Sequence, residues 1–213
     1  MGDKLGRVDE VHEFCERVLG DGPAAAGAAK EALASGRSDR VQLLAAAARA
    51  CRRSAELQPP ARRTAAGSEP RAMSEAIAGE LAAATAILPE RQREALALRE
   101  LMRLSHQQLA TVMGIEPAAV ALLLARARLR LRAERRGAPS EETSTCAERE
   151  RALRTLARRQ DSEPLSGEDD EWLLAHLGAC APCSRAHAAM LEASVCYRAW
   201  PSARRTAGVP AAQ

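Results

Sequence analysis

The stretch LSHQQLATVMGIEP, at residues 104–117, decides the fold. Within it Ser105 is followed three residues later by Gln108, which is the capping-box pattern that begins a helix. The apolar residues that follow have helical spacing. The stretch therefore predicts a short helix from about His106 to Met113.

A turn and a longer helix are predicted next. Gly114 supplies the left-handed residue that ends a helix, and Glu116-Pro117 begins another helix that runs to about Arg135. A short helix, a glycine turn and a longer helix form a helix-turn-helix, although an ordinary helical hairpin has the same spacing. The expected internal core consists of Leu109, Ala110, Val112, Ile115, Val120 and Leu124.

Two amphipathic helices are predicted before this motif. One runs from Met73 to Ile87, and the other begins after Pro89 and runs from Glu90 to Met102. The residues expected to face inward are Ile77, Leu81, Ala84, Leu96, Leu98 and Leu101.

The composition of the 213 residues indicates an all-α protein built from small helical modules. Aromatic residues make up only 2% of the chain, whereas strands of a sandwich or barrel draw on aromatic and β-branched residues. The chain is rich instead in Ala, Leu, Arg and Glu, which are strong helix formers.

Charge, apolar stretches and cysteine content indicate which partners, compartment and cysteine chemistry to expect. With 31 basic and 28 acidic side chains, the net charge of +3 does not by itself indicate a nucleic-acid partner. The chain has no hydrophobic signal core near Met1, and its longest apolar stretch is Ala118–Ala125, so we expect a cytoplasmic protein. Six cysteines in such a protein point to metal or redox chemistry rather than a disulfide framework.

Stretches rich in proline and small polar residues divide the chain. The predicted units are a helical module at 1–57, a linker at 58–72, a helix-turn-helix at 73–136, a linker at 137–145, a zinc-binding module at 146–200 and a disordered tail at 201–213.

The helix-turn-helix unit resembles region 4 of extracytoplasmic-function sigma factors. The residues that carry the resemblance are Leu88–Glu100, Leu104-Ser105, Gln108–Ala110, Met113–Ile115 and Arg126–Arg128. In that family this domain binds the −35 promoter element and the flap of RNA polymerase. The resemblance implies a role in transcription initiation, with the helix that begins at Pro117 in the major groove.

The predicted recognition helix departs from the family in chemistry. Base readout needs hydrogen-bonding groups, but the positions expected to face the bases are Ala121, Leu122, Leu123 and Ala125. An exposed apolar patch indicates a protein interface, which we predict at Leu122, Leu123 and Trp172. The candidate DNA-binding residues are Ser105, Gln107, Gln108, Arg126, Arg128 and Arg130.

The first module resembles a degenerate region 2 of the same family. The residues that carry this resemblance are Val18–Asp21, Lys30–Leu33 and Val41–Leu44. No aromatic residue lies between Phe14 and Trp172, so this region offers no ring to stack on a flipped base.

The C-terminal module carries the spacing H-x3-C-x2-C at His176, Cys180 and Cys183. On one helix these positions share a face, and a structural zinc site needs four nitrogen or sulfur ligands. The fourth candidate is Cys146, with His187 as its competitor. The alternative is two reduced cysteines and a surface histidine without metal.

The run from Cys146 to Cys183 resembles a zinc-binding anti-sigma domain. The resemblance favours Cys146 as the upstream ligand and implies helices that close around zinc and clamp a sigma factor. Some members release zinc and form a disulfide under oxidants, so redox sensing is a further hypothesis.

No glycine-rich phosphate loop, catalytic serine constellation or open metal site stands out, and we expect no enzyme. The sequence instead favours a sigma-factor-like regulator that binds core RNA polymerase and promoter DNA and is modulated in cis by a zinc module. The alternative is an anti-sigma-type regulator that binds another sigma factor and has lost promoter recognition. Neither reading involves a membrane or a small-molecule substrate.

Overall fold

A computed structural model describes residues 2–20, 22–57, 73–137 and 145–200. The predicted linker at 58–72, positions 138–144 of the second predicted linker and the predicted tail at 201–213 lie outside these ranges. The regular elements of the described ranges are all helical, which confirms the predicted all-α class.

The helices follow one another in this order. They are α1 (Gly2–Leu19), α2 (Pro23–Ala34), α3 (Arg40–Leu57), α4 (Met73–Ile87), α5 (Glu90–Leu96), α6 (His106–Met113), α7 (Pro117–Arg136), α8 (Arg149–Gln160), α9 (Gly167–Ala179) and α10 (Ala181–Ala199). A π-helical turn at Ala97–Leu101 continues α5.

The local signals of the helix-turn-helix are confirmed. The Gln108 N–H donates to Ser105 Oγ at 3.3 Å, and the Ser105 N–H donates to Gln108 Oε1 at 3.0 Å, so the capping box is complete. Gly114 has φ 64°, as the predicted turn requires. The predicted core of the motif is buried, apart from Ile115, which is half-buried.

The helices upstream of the motif differ from expectation in two places. The predicted continuous helix to Met102 changes at Ala97 into the π-helical turn, where the Met102 N–H donates to Ala97 O at 3.2 Å. Such turns are rare and frequently mark functional positions. Ile77, expected to face inward, is 46% exposed, while Leu81 is fully buried.

The first module shares its core with the helix-turn-helix. Phe14 of α1 and Leu44 of α3 belong to the same apolar cluster as Leu109 and Val120. An ion pair between the half-buried Arg52 and the buried Glu94 reinforces the contact, because Arg52 Nη1 lies 2.6 Å from Glu94 Oε1. The helices α1–α3 therefore form one packed body with α5–α7.

The C-terminal helices pack on another side of α7. Ala125 and Leu129 join Leu156, Leu173 and Met190 in a second apolar cluster. A third cluster joins α4 and α7 to the end of α10, around the buried Tyr197. The helix α7 thus lies between the core of the helix-turn-helix and the C-terminal helices.

No single helix within the four described ranges is long and apolar enough to cross a membrane. The helices α6 and α7 reach that length and composition only as a pair, and the pair is bent by 95°.

Candidate nucleic-acid interface and metal centre

The face of α7 that was predicted to read bases is covered. Ala121 is 4% exposed and Ala125 is fully buried, and both belong to the second cluster with the C-terminal helices. Leu122 packs against the same cluster, whereas Leu123 packs against the first one. Both leucines are half-buried, so they are less exposed than expected.

The exposure of α7 was mispredicted because the residues that cover this helix are distant from it in the sequence. The sequence of α7 shows apolar residues where a recognition helix needs polar ones, but it does not show what lies against them. In the structure α8 and α10 supply the facing surface, with Leu153, Ala186 and Ala189 among its residues. Trp172, the third predicted interface residue, is half-buried and packs against this cluster too.

Arg128 lies at the centre of a buried polar network. Its side chain is fully buried, and Nη2 lies 2.7 Å from Glu100 Oε1 and 2.6 Å from Asp161 Oδ1. Glu100 belongs to the π-helical turn, whereas Asp161 follows α8. Arg128 was predicted to contact DNA phosphates, but in the structure its guanidinium is buried against these two carboxylates instead.

Asp161 receives two further groups of the helix-turn-helix unit. Arg99 Nε lies 3.0 Å from Asp161 Oδ1, and His106 Nε2 lies 2.8 Å from Asp161 Oδ2. Burial alone would raise the pKa of Asp161, but the bonds from His106, Arg128 and Arg99 outweigh it and hold the pKa well below its usual range. This carboxylate therefore stays ionised inside the interface.

Glu100 binds the C-terminal module in return. Ser194 Oγ donates to Glu100 Oε1 at 2.7 Å, and Arg198 Nε donates to Glu100 Oε2 at 2.7 Å. Burial opposes ionisation here also, yet Arg128, Ser194 and Arg198 keep the pKa of Glu100 lowered. Charged groups of both units thus meet in one buried network.

The N-terminus of α6 meets a second carboxylate. The backbone N–H of His106 donates to Glu163 Oε1 at 2.8 Å. A carboxylate is favourable there because the first N–H groups of a helix lack partners within the helix. Asp161 and Glu163 lie two residues apart, and both bind the same end of α6.

The remaining candidate DNA-binding residues lie outside this network. Gln107 is exposed, whereas Ser105 and Gln108 form the capping box. Arg126 is exposed and lies 3.2 Å from Glu150, and Arg130 lies 3.7 Å from Glu134. Arg132, Arg135 and Arg136, at the end of α7, all pair with Glu192 of α10.

A second site lies where the start of α8 meets the junction of α9 and α10. Cys146 precedes α8, His176 lies in the last turn of α9, and Cys183 lies in the first turn of α10, with Cys180 between these two helices. One ligand atom from each residue lies within 4.8 Å of every other. This Cys3His group can bind a metal ion; His187 is not part of it.

One distance in this group matches the spacing of two ligands in a tetrahedral zinc site. With Zn–S about 2.3 Å and Zn–N about 2.0–2.1 Å, a sulfur and a nitrogen ligand lie about 3.6 Å apart. Cys146 Sγ and His176 Nε2 lie 3.5 Å apart. Three thiols and an imidazole are also a common donor set for a closed structural site.

The path of the chain through this site differs from the single helix that the spacing suggested. The helix α9 ends at Ala179, and Cys180 adopts an extended conformation with φ −117° and ψ 92° before α10 begins. Pro182 is the reason, because a proline disrupts a helix interior but suits a first turn. The break brings Cys180 and Cys183 together with His176.

Neighbouring side chains orient the ligands. The Trp172 ring stacks on the His176 ring, with the two centroids 4.9 Å apart. The guanidinium carbon of Arg151 lies 4.1 Å from the centroid of the Trp172 ring. Arg149 Nη1 donates to Pro182 O at 3.3 Å and lies 3.8 Å from Cys183 Sγ. Burial raises the pKa of Cys183 to about 12, whereas the backbone N–H of Cys183 lowers the pKa of Cys180.

Sequence reasoning missed the acidic half of the interface. Asp161 and Glu163 belonged to no motif, and Arg99 and Glu100 lay only within the stretch Leu88–Glu100 that carries the region-4 resemblance. The available signal was an acidic residue between Leu98 and Leu101 on a helix predicted to face inward. A charge in such a position requires a buried partner.

Comparison with known proteins finds a family match for the central part of the chain. Residues 78–131, about a quarter of the chain, match the family described as sigma-70, region 4. No curated protein and no solved structure matches the chain. The matched segment includes α5, α6 and most of α7, so the likeness covers the helix-turn-helix, and for this segment it supports a sigma-factor-like role in transcription initiation.

Proposed function

We propose that this chain is a sigma-factor-like regulator whose C-terminal module controls access to the helix-turn-helix in cis. The helix-turn-helix would bind core RNA polymerase, promoter DNA or both. The observation that carries the proposal is the burial of Ala121 and Ala125 of α7 beneath the C-terminal helices. A helix covered in this way cannot enter a major groove until the cover moves.

The chemistry of the contact supports a reversible cover. Interfaces that open are more polar than permanent ones, and this one contains Glu100, Arg128 and Asp161 in one buried network. Apolar clusters contribute to both contacts, but at the contact of α1–α3 with the helix-turn-helix the cluster is accompanied by the Arg52–Glu94 pair, whose arginine is half-buried rather than buried. We infer that the C-terminal module separates as a unit while the first module stays attached.

We further propose that Cys146, His176, Cys180 and Cys183 hold Zn²⁺. When bound, the ion would supply four bonds that join the start of α8 to the junction of α9 and α10. Arg149 and Trp172 would orient Cys183 and His176. The covering surface of α8 and α10 would then depend on the metal for its shape. A peroxide that oxidises two of the thiolates to a disulfide, and is itself reduced to water, would release the ion.

A specific observation favours a second candidate. Ala121, Leu122 and Ala125 offer no hydrogen-bonding groups, so α7 lacks base readout even when uncovered. A protein that has lost promoter recognition and holds another sigma factor would need no such groups. This anti-sigma-type reading predicts a partner that binds without RNA polymerase.

The first experiment is a pull-down of the tagged full chain from its native cytosol at moderate salt with zinc retained. Recovery of core RNA polymerase subunits supports the sigma-like reading. Recovery of a separate sigma factor without polymerase supports the second candidate and contradicts the first.

A matched pair of variants tests the control in cis. Cys183→Ser removes a proposed ligand, whereas Cys196→Ser changes a half-buried cysteine outside the ligand group. We expect the first variant to lose zinc and to bind purified core polymerase or duplex DNA more tightly than wild type. The second variant should behave as wild type. Loss of zinc without any gain in binding would contradict control by the module.

A further inference from the structure

We propose that the loop Asp161–Glu163 is an internal mimic of the DNA backbone. Its two carboxylates occupy an anion site built by Arg99, Arg128 and His106, and the same site binds phosphodiester groups of duplex DNA once the C-terminal module has moved. This inference rests on the proposed function, since it names the ligand of the covered surface.

The first half of the site is a cluster of donors around the Asp161 carboxylate. Arg128 Nη2 lies 2.6 Å from Oδ1, Arg99 Nε lies 3.0 Å from Oδ1, and His106 Nε2 lies 2.8 Å from Oδ2. Arg99 Nη2 also donates to Asp161 O at 2.5 Å. All three side chains belong to the matched region-4 segment, and two of them are guanidinium groups, which bind phosphate in the same forked geometry as carboxylate.

The second half is the first turn of α6. The His106 N–H donates to Glu163 Oε1 at 2.8 Å, so a negative oxygen already lies where this helix binds anions best. Both carboxylates come from the segment that connects α8 to α9, and they reach the helix-turn-helix from outside it. The anions are therefore supplied by the cover, while the donors belong to the covered unit.

The charge of the uncovered site favours an anion. Glu100 shares Arg128 with Asp161, and it would keep that partner after the C-terminal module leaves. Arg99 would then lose its Asp161 contacts and retain its bond to Leu104 O. The uncovered site thus has one more guanidinium than carboxylate, with the imidazole and the backbone N–H of His106 beside them.

Position and chemistry point to duplex DNA rather than a small anion. In a helix-turn-helix the first helix crosses the DNA backbone, and its N-terminal groups contact phosphates. The exposed residues beside the site, Arg103 and Gln107, carry further donors. Because Ala121 and Ala125 cannot read base edges, binding through this surface depends on the backbone and not on sequence.

The test compares two charge-matched double variants of the full chain. Asp161→Asn with Glu163→Gln removes both mimicking charges. Asp169→Asn with Asp170→Asn removes two charges from the same module, where the acids pair with Arg151 and Arg159 away from the proposed site. Affinity for a mixed-sequence duplex is measured across a salt series.

We expect the first double variant to bind the duplex about tenfold more tightly than wild type, within the usual range of coupling between two sites. Its affinity should also fall more steeply with salt, because each additional phosphate contact releases counterions. The control variant should gain much less. Equal gains in both variants would overturn the proposal, since general charge reduction would then explain them.

A third substitution separates this site from other basic residues. Adding Arg99→Gln to the Asp161→Asn, Glu163→Gln variant should abolish the gain, whereas adding Arg126→Gln should leave most of it. The reverse result would overturn the phosphate mimic and leave DNA binding by the helix-turn-helix intact. Binding of inorganic phosphate by the first double variant at constant ionic strength, with no binding of duplex, would overturn DNA as the ligand.

Hydrogen exchange measures whether the C-terminal module of the first double variant has opened. Faster exchange in α8–α10 of the first double variant, with α1–α3 unchanged, shows that the module has opened. An open variant that binds core polymerase but no DNA overturns the mimic and keeps the proposed function. An open variant that binds neither overturns both, and a variant that stays closed overturns the role of these carboxylates in holding the module.

Discussion

Arg128 Nη2 lies 2.6 Å from Asp161 Oδ1, and both side chains are buried at the contact of α7 with the segment that follows α8. This one bond joins the recognition helix of the region-4 segment to the module that covers it. A buried ion pair contributes less to stability than its attraction suggests, since both charges lose their hydration. An incorrectly placed module would leave a buried charge unpaired, at a further cost in free energy.

Removal of Arg128 should be strongly destabilising. The variant Arg128→Met leaves Glu100 and Asp161 buried with fewer cationic partners, so we expect the free energy of unfolding to fall by about 3–5 kcal/mol. Urea denaturation of the full chain, followed by circular dichroism, measures this change.

Arg126 provides the matched control on the same helix. It is exposed and pairs with the exposed Glu150, so Arg126→Met should change the free energy of unfolding by less than about 1 kcal/mol. Similar losses in both variants would show that Arg128 has no special role in the interface.

Acid should weaken the docking of the C-terminal module. The pKa of Asp161 is lower in the folded chain than the ordinary 3.8, because His106, Arg128 and Arg99 outweigh the effect of burial. A lowered pKa means that the unfolded state binds more protons, so the contribution is fully present above about pH 4. It is lost as the pH falls from there through the folded-state pKa.

Denaturation at several pH values between 7 and 3 tests this prediction. Stability of the wild-type chain should fall more steeply below about pH 4 than that of Asp161→Asn, which lacks the titrating group. Parallel curves for the two proteins would contradict the assignment.

The proposed metal site predicts a defined stoichiometry. The purified full chain should contain about one zinc per chain, and replacement of any one of its four ligands, for example His176→Asn, should abolish tight binding. His187→Asn is the matched control, because His187 lies on α10 outside the ligand group. Zinc content that depends on His187 and not on Cys146 would reassign the fourth ligand.

Replacement of glycine by alanine should change the stability in opposite directions at the left-handed turn between α6 and α7 and inside α2. Gly114 has φ 64°, and a side chain there costs about 1–2 kcal/mol, so Gly114→Ala should destabilise the chain by that amount. Gly27 lies inside α2 with open space around it, so Gly27→Ala should stabilise by about 0.5–1 kcal/mol. Thermal unfolding of both variants distinguishes a conformational effect from a general tolerance of alanine.

Local chemistry explains which features could be predicted. The capping box at Ser105, the turn at Gly114 and the bounds of α6 depend on residues within a few positions of one another, and the sequence displays them directly. The metal ligands were likewise suggested by spacing, although their convergence depends on the break at Cys180.

Non-local packing explains what could not be predicted. Leu122 looks exposed on an isolated recognition helix, because only the folded chain shows that α8 and α10 lie against it. The same holds for Arg128, which reads as one of several basic residues along α7 until Asp161 is brought to it from 33 positions away. A single sequence has no signal for such pairs.

The covering contact can be broken without touching any charged residue. Ala125 is fully buried between α7 and the C-terminal helices, and Ala125→Glu would place an unpaired charge there at a cost of several kcal/mol. We expect the C-terminal module to leave α7 while the first cluster, which holds α1–α3, stays intact. Hydrogen exchange should therefore accelerate in α8–α10 and remain slow in α1–α3.

Ala118→Glu is the control for this variant. Ala118 is exposed in the first turn of α7, where an acidic residue is tolerated or slightly favourable. It should leave exchange in α8–α10 at the wild-type rate. If Ala125→Glu accelerates exchange equally in all three modules, the chain unfolds as one unit, and a cover that opens on its own is ruled out.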